Sequence, residues 1–106
     1  MKVLRWFANK IRGGKKGFVI DNSSELKGVK VAETKNINVD MFSDYKSLLY
    51  KLNKKKNCGY QYGLIYENGS KYKPQIICSF IRKIDPSIKL IIYKNEEDLS
   101  NQLTWG

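Results

Sequence analysis

GYQYGLIYENGSKYKPQ, residues 59–75, decides how the chain is read. Its first half predicts a strand over Tyr60 to Glu67. Leu64 and Ile65 follow one another without a polar residue between them, as in strands covered on both faces. NGSKYK then predicts a turn. Pro74 opens a helix, because its missing N–H falls where a helix has no internal acceptor to offer. A strand passing through a loop into a helix is half of a β-α-β unit. In open α/β sheets that junction holds the ligand and the reactive groups. Here the strand ends on Tyr66, with Glu67 and Asn68 beyond it.

The same alternation continues on both sides. Upstream, GFVID (Gly17 to Asp21) predicts a first strand, with Ser23 or Ser24 as a helix cap after it. Residues 26–34 admit a helix or a strand: Gly28, Val29 and Val31 weaken a helix, which is nonetheless favoured. NINVDMF (Asn36 to Phe42) alternates Ile37, Val39 and Met41 with polar residues and predicts a half-buried strand. A helix capped by Ser43 comes next, with Tyr45, Leu48, Leu49 and Leu52 at i, i+3, i+4 and i+7. Downstream, Ile77, Phe80, Ile81 and Ile84 form the apolar stripe of the helix that Pro74 opens. DPS (Asp85 to Ser87) stops it. IKLIIYK (Ile88 to Lys94) predicts a fourth strand, whose succession Leu90-Ile91-Ile92 reads as a sheet centre covered on both faces, and Asn95 caps a last helix with Glu96, Glu97 and Asp98 in its first turn. Strands alternating with helices predict an α/β fold: a small, mostly parallel four-stranded sheet flanked by helices.

The 106 residues fit one domain with one modest core. GGKKG, residues 13–17, sets off residues 1–14, predicted as a basic amphipathic N-terminal helix, from an α/β domain over 17–106. In that helix Val3, Leu4, Phe7 and Ile11 share a face, with Trp6 beside them. It packs on the sheet, docks into a partner, or lies on an anionic membrane surface with Trp6 and Phe7 inserted. No apolar run reaches the ~20 residues of a membrane span, and the N-terminus lacks the pattern of a secretory signal. The expectation is a cytoplasmic protein.

The chain has no histidine, which removes Ser-His-Asp and Cys-His catalysis and the commonest transition-metal ligand. Cys58 and Cys78 lack metal or redox spacing and read as buried thiols. IRGGKKGF has glycine and lysine but not the phosphate-loop pattern, and it precedes a strand instead of following one. NSS and NGS match the glycosylation acceptor pattern by chance. Glu96, Glu97 and Asp98 read as dipole partners and not as a catalytic pair. No cofactor and no metal is implied.

GFVIDNSSEL, INVDMFSDYKSLLYKL, YQYGLIYEN and ICSFIRKIDPSIKLIIYKNEEDL together resemble a receiver domain of two-component response regulators, a flavodoxin-like fold, over about residues 17–100. The family's last strand and helix have no counterpart. Aligned by strand ends, the resemblance puts Tyr66 where the phosphoryl-accepting aspartate belongs. It reduces the Mg²⁺-holding acid pair to Asp21 with Asn22, and brings Tyr93 to the hydroxyl position. The fifth-strand lysine falls beyond the last residue. The resemblance therefore implies a degenerate, truncated receiver without phosphotransfer. It also implies that the fourth strand, Ile88 to Lys94, has a bare edge to be paired in a homodimer or with a partner, or covered by the N-terminal helix.

Net charge is +10, from 20 basic and 10 acidic residues, and residues 1–16 hold six cations and no acid. Such a balance points to an anionic partner. Two readings stand. The first is a non-enzymatic regulatory module acting through a protein partner, with Trp6, Phe7, Tyr66, Glu67 and Tyr93 as its contacts. The second is a nucleic-acid binder using Arg5, Lys10, Arg12, Lys15, Lys16, Lys54, Lys55 and Lys56, helped by tyrosines 60, 62, 66 and 72 interleaved with lysines.

Overall fold

The computed structural model describes residues 15–23, 27–54, 59–68 and 72–105. The expected N-terminal helix, with Arg5, Trp6, Phe7, Lys10 and Arg12, lies outside these residues, as do Lys55, Lys56 and Cys58. The elements run β1 (Lys15–Ile20), α1 (Lys27–Thr34), β2 (Ile37–Phe42), α2 (Tyr45–Lys54), β3 (Tyr62–Tyr66), α3 (Pro74–Ile84), β4 (Lys89–Tyr93) and α4 (Glu96–Trp105). The four strands form one sheet in the order β2-β1-β3-β4. Every pairing is parallel. Fold class is thus as the sequence predicts.

Strand alternation sends the core to both faces. Phe18, Ile20 and Ile65 meet Leu48 and Leu52 of α2 and Ile77 and Ile81 of α3. Val19, Leu64, Ile91 and Tyr93 meet Val31 and Ala32 of α1 and Leu99 of α4. The open choice at residues 26–34 resolves to helix from Lys27 onward, because Val31 and Ala32 fall one after the other on the buried face. That helix ends in a turn where Asn36 takes φ 60°, a conformation Asn tolerates better than other side chains.

Local expectations meet three differences. The cap of α2 is Asp44 and not Ser43: Ser47 N–H donates to Asp44 Oδ1 at 3.0 Å. Asn95 does cap α4, accepting from Asp98 N–H at 2.8 Å. Second, Phe80 is 39% exposed. The buried face of α3 is built from Pro74, Ile77, Cys78 and Ile81, and at 100° per residue Phe80 falls off its margin. Third, the succession Leu90-Ile91-Ile92 does not mark a sheet centre. β1 and β3 are central, and β4 is an edge among the described residues.

That edge is partly closed. Lys89 N–H donates to Gln61 O at 3.0 Å and Glu67 N–H to Tyr93 O at 2.9 Å. In a parallel ladder, alternate residues face the neighbouring strand, so residues 89, 91 and 93 face β3 and residues 90, 92 and 94 face outward. Two of the outward groups are taken by α4. Ile92 O accepts from Gln102 Nε2 at 2.9 Å, and Lys94 N–H donates to Asp98 Oδ2 at 2.9 Å. Gln102 Nε2 also reaches Asp98 Oδ1 at 3.3 Å, joining the two into one clip. A strand added at β4, in a homodimer or otherwise, must displace it. Replacing both clip residues, Asp98→Ala with Gln102→Ala, is expected to bare the edge and give concentration-dependent self-association by light scattering. A double variant with the same mass as the parent at every concentration would show that the clip does not guard the edge.

Candidate functional site

The chain leaves β1 for β2 on one side and leaves β3 for β4 on the other. The crevice outside the carboxyl ends of β1 and β3 is therefore the point where strand order reverses, the place such sheets reserve for ligands. Asp21 follows β1. Tyr66 and Glu67 end β3, and Tyr93 ends β4 in register with Tyr66.

Asp21 is buried, and its backbone N–H donates to Phe42 O at 3.0 Å. Its Oδ1 accepts from Ser23 N–H at 2.7 Å, a local turn that turns the carboxylate back onto its own chain. Tyr66 is half-buried and stacks on Tyr93, ring centroids 5.4 Å apart and planes 29° from parallel. The sequence-predicted contacts Tyr66, Glu67 and Tyr93 are thus brought together, but not as one surface. Tyr93 is 1% exposed and supports Tyr66 from beneath; Tyr66 and Glu67 alone of the three reach solvent.

Tyr93 Oη is buried and has no hydrogen-bond partner among the described residues. Burial first, then the Asp21 charge and Tyr66, push its phenol well above the ordinary tyrosine value, so it stays neutral. The hydroxyl lies against Gly28 of α1, where an added Cβ would collide with it. This explains a glycine in a helix, where it costs about 1 kcal/mol relative to alanine. Among the described residues no three of His, Cys, Asp and Glu gather as metal ligands. Cys78 is buried, and burial raises its thiol by more than Arg82 and the backbone lower it, the opposite of an activated nucleophile.

A second polar cluster, which sequence reading missed, lies among β2, α2 and the approach to β3. Tyr60 Oη donates to Asp40 Oδ2 at 2.6 Å, and Lys51 Nζ donates to Asp40 Oδ2 at 3.1 Å and to Tyr60 Oη at 2.9 Å. Lys16 sits over the Tyr60 ring at 5.0 Å. Burial pushes Asp40 up, but the hydrogen bonds from Tyr60 and Lys51 and the charges of Lys51 and Lys16 outweigh it, leaving the carboxyl below its usual value. Burial and the bond to Asp40 push Tyr60 up to about 12. Tyr60 is therefore a donor and not a base, and the cluster ties three elements together. Its members sit on three successive segments, 11 and 9 residues apart, so no helix or strand periodicity announces it.

The basic candidates are dispersed. Lys15 and Lys16 begin β1 and project to opposite faces, Lys15 bonding Tyr62 Oη at 3.2 Å. Lys54 ends α2 above the Tyr50 ring, at 5.7 Å. Of the tyrosines read as interleaved with lysine, Tyr60 is buried, Tyr62 and Tyr66 are half-buried, and Tyr72 is 44% exposed.

Compared with known families and curated proteins, the chain matches no family model and no curated protein. No helix among the described residues is long and apolar enough to cross a membrane.

An unpaired buried hydroxyl costs about 1–3 kcal/mol. Tyr93→Phe removes it and keeps the ring stack, so it is expected to stabilise by about 1 kcal/mol, raising Tm by about 4–8 °C. Gly28→Ala is expected to destabilise by about 1–3 kcal/mol, and by less in the Tyr93→Phe background. Thermal melts of the four proteins check both. A lowered Tm for Tyr93→Phe would mean that the hydroxyl is satisfied.

Proposed function

We propose that the chain is a non-catalytic regulatory module, receiver-like in outline and without phosphotransfer, that acts through a protein partner at the carboxyl ends of its strands. The observation that carries this reading is the Tyr66–Tyr93 stack at the strand ends bordering the reversal point. An acceptor there needs a carboxylate with free oxygens beside a bound divalent cation. Tyr66 offers a phenol, and the Asp21 carboxylate is turned in to Ser23. The half-buried Tyr66 ring and the neighbouring Glu67 offer a partner an aromatic anchor and a charge. Trp6 and Phe7 remain the other proposed contacts, and a cytoplasmic setting goes with the reading.

The test is a two-dimensional amide NMR spectrum before and after beryllofluoride with Mg²⁺. No saturable change is expected. Saturable shifts clustered at Asp21, Tyr66, Glu67 and Tyr93 would overturn the reading in favour of a working receiver.

A second reading, nucleic-acid binding, is favoured by one observation. The helices on the two faces of the sheet carry opposite charge. α2 and α3 hold Lys46, Lys51, Lys54, Arg82 and Lys83 and no acid. On the other face α1 and α4 hold Lys30 against Glu33, Glu96, Glu97 and Asp98. Lys51 is paired with Asp40 of β2, but the two helices themselves carry cations alone, which suits a polyanion.

A further inference from the structure

The large apolar side chains that the fold leaves exposed gather mainly on the cationic face. Tyr72, Ile76 and Phe80 are 44%, 45% and 39% exposed. Ile76 and Phe80 stand four residues apart and so share one line along α3, and Tyr72 lies just before its first turn. Tyr45, the first residue of α2, closes the line from the side. Its ring lies nearly parallel to Phe80, at 6.0 Å and 10°, and edge-on to Tyr72, at 5.0 Å and 81°. Three rings thus form a shelf across the seam between two helices. Lys46, Lys73 and Lys83 are all exposed: Lys46 follows Tyr45 in α2, Lys73 precedes α3, and Lys83 continues the line of Phe80. Acids occur only at the ends of these helices. Asp44 is occupied in capping Ser47 N–H and Asp85 accepts from Ser87 N–H at 3.1 Å.

We propose that this shelf binds single-stranded nucleic acid, its rings stacking unpaired bases and its lysines meeting phosphates. The proposal rests on the nucleic-acid reading above and names its site, which keeps Tyr72 from the residues the sequence pointed to and replaces the rest. Aromatic rings outnumber aliphatic groups on the shelf, which favours bases over the apolar face of a protein helix. Duplexes keep their bases stacked inside and have nothing to offer the rings, so unpaired strands are selected. Three phosphate contacts give a slope of about −2 in log K against log salt, at ~0.7 per phosphate for single strands.

The experiment uses the full chain, a fluorescein-labelled (dT)12, the same length as a hairpin duplex, and poly-glutamate as an acidic polypeptide. Anisotropy titrations are run at several salt concentrations, and amide NMR maps the contacts. (dT)12 is expected to bind more tightly than the duplex and to shift amides in residues 45–49 and 72–83. Tyr72→Leu with Phe80→Leu keeps apolar bulk and removes the rings. It is expected to weaken binding about five- to a hundredfold with the salt slope unchanged. Lys46→Ala, Lys73→Ala and Lys83→Ala are each expected to flatten the slope by about 0.7. Binding of (dT)12 with shifts confined to other residues would overturn the shelf and leave the nucleic-acid reading standing. No binding of either nucleic acid would remove both. Poly-glutamate shifting the same amides and surviving (dT)12 competition would assign the shelf to an acidic protein instead.

Discussion

The ring of Phe18 occupies the space that a side chain on Gly63 would need. That contact sits at the centre of the sheet, between its two inner strands. It lets the two central strands, β1 and β3, lie side by side with Phe18 opposite Gly63 in register. It also lets the Phe18 ring reach its neighbours edge-on, Tyr60 at 5.2 Å and Phe42 at 6.5 Å. Leu90 of β4 presses on the same space from the other side. With β1 and β3 adjacent, strand order must reverse between them, and the crevice at their carboxyl ends is fixed in position. A parallel sheet of four strands is small, so a loss of packing at its centre is felt in both layers.

Chemistry is distributed unevenly over this frame. At the reversal point the chain places aromatic packing and a self-capped aspartate. Near the other ends of the strands it places the Asp40, Lys51 and Tyr60 cluster. Asp40 and Lys51 are partly exposed, so water screens their attraction and the value of the cluster lies in joining elements more than in charge energy. The two helical layers then differ in kind. α4 carries its acids at its N-terminus, where the helix dipole favours them, and uses Asp98 with Gln102 to blunt the β4 edge. α2 and α3 carry cations and exposed rings. A partner that reads the protein meets a different surface on each side.

Much of the frame was legible in the sequence because short-range rules govern it. Pro74 and Asn95 announce helix starts by what they do to orphan N–H groups. Ile37 and Val39 announce a strand by alternation, and the strand–helix order announces a parallel sheet. What stayed hidden depends on which neighbour arrives from elsewhere. Phe80 lies at helical spacing from Ile77, Ile81 and Ile84, yet the layer beneath α3 does not extend under it. Tyr93 ends its strand as Tyr66 does, but α1 and α4 cover it while Tyr66 stays half open. Gly28 counts against a helix by propensity and is required in one by the Tyr93 phenol. Asp40, Lys51 and Tyr60 meet only after three elements have packed. Asp44 outcompeted Ser43 as a cap by one residue, within the ordinary uncertainty of a helix end.

The most direct measurement is chemical denaturation of Gly63→Ala, Phe18→Leu and the double variant. Forcing a Cβ into filled space is expected to cost about 1–3 kcal/mol in Gly63→Ala. In the Phe18→Leu background the smaller side chain leaves room, so the same change is expected to cost less, a coupling of at least about 0.5 kcal/mol between contacting residues. Additive effects, or a Gly63→Ala protein as stable as the parent, would contradict the packing of Phe18 over Gly63 and with it the adjacency of β1 and β3.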